Sequence, residues 1–238
     1  MPASSLTDEQ QRLLGRYRDL LLERNARTNL TAVRDPEGVD RRLIAESLRL
    51  LPALDAHIGS GDEAVDIGTG GGIPGMPLAI ARPDIRWTLI DATAKKVAFL
   101  RDVIDELSLP NVVLYHGRIE ELAHEPHLRG RYRVLTARAV SSLPALLELG
   151  LPMVHTGGTL LLPKGLDIAD ELADAERAAD TLGGRIVSHD VLPDADTGVE
   201  TTLVVVSKEH ETPAAYPRRA GLPARAPLGS RPRGKTPR

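Results

Sequence analysis

Short apolar runs alternate with amphipathic stretches over most of the chain, and a change of period divides it into three parts. In residues 1–60 apolar positions recur every three to four residues, which predicts helices. Thr7-Asp8-Glu9-Gln10 has the spacing of a capping box, and Leu13, Leu14, Tyr17, Leu20 and Leu21 continue at helical intervals. Asp35-Pro36 reads as an N-cap followed by proline at the first helical position. Val39, Leu43, Leu50 and Leu51 follow, with Ile44 and Leu48 widening the stripe. Asn29-Leu30-Thr31-Ala32 is a connecting segment between these helices.

Residues 61–210 change to short strands alternating with helices. Strands are predicted at Ala64–Ile67, Arg86–Asp91, Val112–His116, Arg133–Thr136, Thr159–Pro163, Ile186–Val191 and Thr201–Ser207. Helices fall near Pro74–Ala81, Ala94–Leu107, Leu143–Leu149 and Asp167–Leu182. Such alternation implies a doubly wound α/β domain, a mostly parallel sheet with helices on both faces. No helix separates the last two strands, so the final one is expected to enter antiparallel through a hairpin. Residues 211–238 hold six of the 18 prolines and show no strand or helix pattern, as in an extended tail.

Composition narrows the function. The 238 residues contain no cysteine, which excludes disulfides, thiolate metal sites and cysteine nucleophiles. No histidine cluster has metal-ligand spacing, so no metal is expected. Apolar runs stop far short of the roughly 20 residues needed to cross a bilayer, and the start lacks a signal-peptide pattern. A cytoplasmic protein is the expectation. The net charge of −3 is unevenly spread, because the last 27 residues carry seven basic side chains and no acidic one. A basic end on an acidic body suits a phosphate-rich partner, or else merely solubilises the chain.

The candidate chemistry lies in Asp66-Ile67-Gly68-Thr69-Gly70-Gly71-Gly72-Ile73-Pro74-Gly75, which follows the first strand of the sheet. Gly70, Gly72 and Gly75 satisfy G-x-G-x-x-G, which keeps a nicotinamide-dependent oxidoreductase as an alternative. Two features point elsewhere. Asp66 stands just before the first glycine, where a carboxylate at the mouth of the loop would repel a pyrophosphate and suit an ammonium or sulfonium. Pro74 removes an N–H from the helix start, where a pyrophosphate wants donors. Asp66-x-Gly68-x-Gly70-x-Gly72 is similar to the loop of S-adenosylmethionine-dependent methyltransferases. Asp91, ending the second strand, is placed to accept ribose hydroxyls.

Absences refine the reaction. Without cysteine, methylation at a pyrimidine carbon 5 has no nucleophile. The segment after the fourth strand, Thr136-Ala137-Arg138-Ala139-Val140, lacks the Asn/Asp-Pro-Pro-aromatic loop used on exocyclic amines. A ring nitrogen such as guanine N7 needs no deprotonation, and alignment alone can supply about 7–11 kcal/mol at best.

In chain order, Asn29–Ala32, Glu46-Ser47-Leu48, the glycine loop and Ala94-Lys95-Lys96-Val97-Ala98-Phe99-Leu100 are followed by Arg118-Ile119-Glu120-Glu121, Ala137-Arg138-Ala139 and Tyr216-Pro217-Arg218-Arg219-Ala220-Gly221-Leu222-Pro223. Together these segments resemble the ribosomal RNA small subunit methyltransferase G family, also called glucose-inhibited division protein B. The resemblance implies a class I S-adenosylmethionine-dependent methyltransferase, Rossmann-like, with an N-terminal helical extension. It further implies methyl transfer to N7 of a guanine in 16S ribosomal RNA, naked or within the small subunit. A non-catalytic RNA-binding or assembly protein on the same fold is the other alternative.

Residue by residue, the resemblance and the loop place Asp66, Gly68, Gly70, Gly72 and Ile73 at the cofactor. Asp91, Ala92, Thr93, Ile119 and Glu120 are expected at its ribose and adenine side. Arg138 is expected beside both cofactor and guanine, as the catalytic residue. Lys95, Lys96, Lys164, Arg218, Arg219 and Arg225 are candidates for RNA phosphates. The C-terminal tail is expected to stand apart from the glycine-loop pocket. One position departs from the family: Leu43 stands where the family usually has His.

Overall fold

The computed structural model describes residues 6–193 and 197–229. A first helix, α1 (Asp8–Thr28), begins with the expected capping box. The Thr7 hydroxyl accepts from the Gln10 amide, and the Gln10 side chain accepts from the Thr7 amide at 2.9 Å. Its one buried amide side chain, Asn25, then folds the connector. Asn25 Oδ1 accepts from Leu30 N and Thr31 N, while Nδ2 donates to the carbonyls of Thr31 and Val33. Four bonds satisfy that amide completely, which is what burying it requires.

Asp35 caps α2 (Pro36–Val39) through the Gly38 amide, and the helix continues as a π-turn (Asp40–Ala45) into α3 (Glu46–Leu48). A separate helix, α4 (Leu51–His57), leads to the sheet. This N-terminal region is not an appendage. Tyr17, Leu21, Val39, Leu50 and Leu54 pack in one continuous core with Met76, Trp87, Phe99 and Leu100 of the sheet domain.

The sheet contains seven strands: β1 (Glu63–Ile67), β2 (Arg86–Asp91), β3 (Val112–His116), β4 (Tyr132–Thr136), β5 (Val154–Lys164), β6 (Gly184–Val191) and β7 (Thr202–Lys208). Their order is β3-β2-β1-β4-β5-β7-β6. The first five are mutually parallel, and β7 runs antiparallel between β5 and β6, as the missing helix predicted. Strand β5 is longer than expected because it starts at Val154 and passes through Gly157 and Gly158.

The helices α5 (Gly75–Ala81) and α6 (Ala94–Leu107) cover one face together with the N-terminal helices, while α8 (Leu143–Gly150) and α9 (Ala169–Leu182) cover the other. Two short helices, α7 (Ile119–Leu122) and α10 (Leu222–Arg225), were not predicted. The sheet order reverses beside β1, and the loops at the carboxyl ends of β1, β2 and β4 open there into a crevice. Among the described residues no helix is long and apolar enough to cross a membrane, and no acidic–histidine group is arranged to hold a metal ion.

Candidate functional site

Central strands of a parallel sheet are covered on both faces, and β1 buries every position from Ala64 to Ile67. Asp66 is therefore fully buried and, contrary to the expectation from its place beside the glycines, does not stand at the mouth of the loop. Its Oδ2 accepts from the Gly75 amide at 3.0 Å, and its Oδ1 accepts from the Thr136 hydroxyl at 3.0 Å. It ties the start of α5 to the ends of β1 and β4. Burial pushes its carboxyl up to about 7 despite these hydrogen bonds.

The glycines have separate reasons. Gly68 has φ +64°, and a Cβ there would lie 2.6 Å from a Val140 methyl. Gly72 has φ +98°, and its Cβ would meet Leu100, Met76 and the Tyr17 hydroxyl at 2.9–3.1 Å. Protein packing, not a ligand, occupies the space beside Gly72. Ile73 likewise packs against the N-terminal core. Only Gly70, φ +62°, faces open space, with nothing nearer than 3.9 Å. The adjacent Gly71 carbonyl accepts from Tyr17 at 2.6 Å, so α1 holds the loop from behind.

In front of the loop lies a cleft of about 320 Å³. Gly68, Asp91, Ala92, Ile119 and Glu120 line it, and Thr93 borders it through its amide, which donates to Asp91 Oδ1 at 2.8 Å. Asp91 Oδ2 accepts from the Gly70 amide at 2.9 Å and has Lys96 Nζ at 3.6 Å. Lys96 thus lines this cleft beside Asp91, while Lys95 stands in the first turn of α6 as an exposed side chain. Burial pushes the Glu120 carboxyl up, but hydrogen bonds from Arg118 and the Gly221 amide outweigh it and hold it below its ordinary value.

A second cleft of about 270 Å³ adjoins the first, and the two share Ala139 and Ser141. Ala139 has φ +55°, a left-handed backbone that turns the chain between them. Arg138 lines this second cleft and donates to the Arg42 carbonyl at 3.1 Å. It was expected at the cofactor as well, and the cleft it lines is the neighbouring one. Burial pulls its guanidinium below the usual value, partly offset by Glu46. Lys164 is on the same wall, but its ammonium is held 3.1 Å from Glu171 and 3.2 Å from the Ser141 carbonyl.

Glu46 had no predicted role beyond the motif containing it. It is buried in this cleft, accepts from Thr201 at 2.8 Å, and is bonded by Thr197 and Arg49. Leu43, the departure from the family pattern, is buried in the helical core, one turn behind Ser47, whose hydroxyl donates to its carbonyl at 2.6 Å.

The C-terminal segment corrects a second expectation. Residues 211–229 are docked on α7 and α8, and Gly221, Pro223 and Ala224 line the first cleft. Arg218, an RNA candidate, is committed to Glu148 of α8, with contacts of 2.8 and 2.6 Å from its side chain and 2.8 Å from its amide. Arg219 and Arg225 are exposed and make no side-chain hydrogen bond among the described residues. The remaining basic residues, Arg231, Arg233, Lys235 and Arg238, lie outside the described residues.

The crevice at the carboxyl ends of the strands, the glycine turn and the acidic residue ending β2 together fit a nucleoside-bearing cofactor: Gly70 leaves room for a ligand against the backbone, and Asp91 lines the cleft. Comparison with known proteins agrees. The family model for rRNA small subunit methyltransferase G matches residues 10–196. Ribosomal RNA small subunit methyltransferase G of Roseiflexus sp. is 44% identical over 225 residues, 94% of each chain. Its namesake in Deinococcus radiodurans is 41% identical, covering 88% of this chain and 82% of that one. Among solved structures, geranyl diphosphate C-methyltransferase from Streptomyces coelicolor with S-adenosyl-L-homocysteine superposes with a TM-score of 0.53 at 15% identity, over 69% of this chain and 78% of that one. The antibiotic-resistance methyltransferase Kmr gives 0.50 at 21%, over 66% and 92%. These likenesses speak for the fold alone, and none supports a nicotinamide oxidoreductase or a non-catalytic assembly factor. On the family match and the identities along nine-tenths of its length, the chain belongs to the rRNA small subunit methyltransferase G family of S-adenosylmethionine-dependent methyltransferases.

Proposed function

We propose that this chain methylates N7 of a guanine in 16S ribosomal RNA, with the first cleft holding S-adenosylmethionine and the second receiving the base. The observation that carries the reading is the junction at Ala139 and Ser141, where the two clefts meet. When bound, S-adenosylmethionine supplies an electrophilic methyl group on a sulfonium. Gly70, whose Cβ would meet open space, would let it lie against the backbone, Asp91 would accept from its hydroxyl groups, and Gly68, Ile119 and Glu120 would border it.

Guanine N7 carries an in-plane lone pair and needs no base. The carboxylate buried in the second cleft, Glu46, is already engaged by Thr197, Thr201 and Arg49. That engagement favours a reaction run by alignment and water exclusion over one run by proton abstraction. Arg138 offers a planar fork of donors toward guanine O6 or a flanking phosphate. The direct experiment incubates the protein with methyl-labelled S-adenosylmethionine and unmodified 16S rRNA or small subunits, then digests the RNA. Label in N7-methylguanosine is expected; label in another nucleoside, or none, overturns the proposal.

A further inference from the structure

Polar side chains from α7, the segment that follows it, α8 and the end of β7 converge on residues 212–221. Lys208 donates to Thr212, and Arg129 donates to the carbonyls of Thr212, Pro213 and Tyr216. His124 Nε2 lies 2.8 Å from the Pro217 carbonyl. Glu148, 0% exposed in a helix that is buried at every position, takes the amide, Nε and Nη2 of Arg218. Glu120 takes the Gly221 amide at 2.8 Å. A buried carboxylate without a partner is strongly destabilising, so Glu148 is accommodated in α8 by the docked Arg218. The segment thereby runs as a strap from the end of β7 to the carboxyl edge of the sheet, where Gly221, Pro223 and Ala224 face the first cleft.

We infer that this C-terminal strap is a wall of the cofactor site, and that Glu148, through Arg218, is the residue that positions it. The inference rests on S-adenosylmethionine occupying the first cleft. Two features separate a wall from a mere surface anchor. Ala224 is exposed and lines the cleft, so a larger side chain there projects into ligand space without disturbing the core. Glu120 bonds both the strap and Arg118, so one side chain joins the strap to the loop after β3.

The test is calorimetric titration of the full-length protein with S-adenosyl-L-homocysteine, alongside thermal melting and hydrogen exchange. Ala224→Phe should weaken binding by about tenfold or more while the melting temperature holds. Glu148→Gln should weaken it several-fold and loosen amide protection across residues 212–226, and saturating ligand should slow exchange at Gly221 and Ala224 in the wild type. Asp91→Asn, on the opposite side of the cleft, marks the cleft itself. If Asp91→Asn weakens binding and Ala224→Phe does not, the strap is no wall and the inference fails alone. If neither variant weakens it, the ligand lies elsewhere, and the cleft assignment falls together with the inference.

Discussion

Asp91 Oδ2 accepts a hydrogen bond from the Gly70 amide at 2.9 Å, so the glycine loop after β1 is pinned to the end of β2 by one carboxylate. The other oxygen takes the Thr93 amide. Asp91→Asn keeps the shape but places an NH2 group against one of two donors. Binding of S-adenosyl-L-homocysteine should weaken about tenfold, and the melting temperature should fall by a few degrees, as about 1–3 kcal/mol is lost with an unsatisfied buried group. Titration and a thermal melt on the same preparation check both.

Gly70 and Gly72 should respond differently to enlargement. Gly72→Val drives a side chain into Leu100, Met76 and Tyr17, so the main effect is lost stability of about 1–3 kcal/mol from overpacking. Gly70→Ala enters open space, costing about 1–2 kcal/mol for its left-handed backbone, and should act chiefly on ligand affinity. Chemical denaturation of both variants, compared with their titrations, separates the two causes.

Asp66 makes stability depend on pH. Burial raises its carboxyl from an ordinary 3.8 to about 7, so the fold favours the neutral form. That contribution is complete below about pH 4, where the unfolded chain also protonates, and is lost as the pH rises through 7. Asp66→Asn is neutral throughout and should lack this slope. The melting temperature of the wild type relative to the variant should therefore be higher at pH 5 than at pH 8.

Arg219 and Arg225 are exposed on either side of the strap residues that line the first cleft. If they meet phosphates, replacing each with Gln should lower the log–log salt slope of RNA binding by about 0.7–0.9. Arg218→Gln should instead destabilise the strap, because its partner Glu148 is buried. Filter binding across a salt series distinguishes the two classes.

Much of the fold was legible because its strands and helices obey simple periods. Capping at Thr7 and Asp35, the glycine turn and the antiparallel entry of β7 all follow from local sequence. Asp66 was misplaced for a physical reason: a carboxylate beside glycines looks like part of a loop mouth, yet β1 has no solvent face. The strap was read as a loose tail because prolines suppress periodicity and α10 is a single turn. Its docking depends on a pair 70 residues apart, Glu148 and Arg218. One signal was present: a lone acid among the leucines of α8 demands a cation from somewhere. Gly72 was assigned to the ligand because the motif alone does not reveal what packs beside each glycine.

The central claim is that the cleft beside the glycine loop and the cleft containing Arg138 are two halves of one methyl-transfer site. Single-turnover methyl transfer to 16S rRNA or small subunits, at saturating RNA and S-adenosylmethionine, tests it most directly. Arg138→Ala should slow transfer by about a hundredfold or more with cofactor affinity unchanged, and Arg138→Lys should rescue little, since a point charge does not reproduce the planar fork. A wild-type rate in the alanine variant would contradict the account and reduce Arg138 to a donor holding the Arg42 carbonyl.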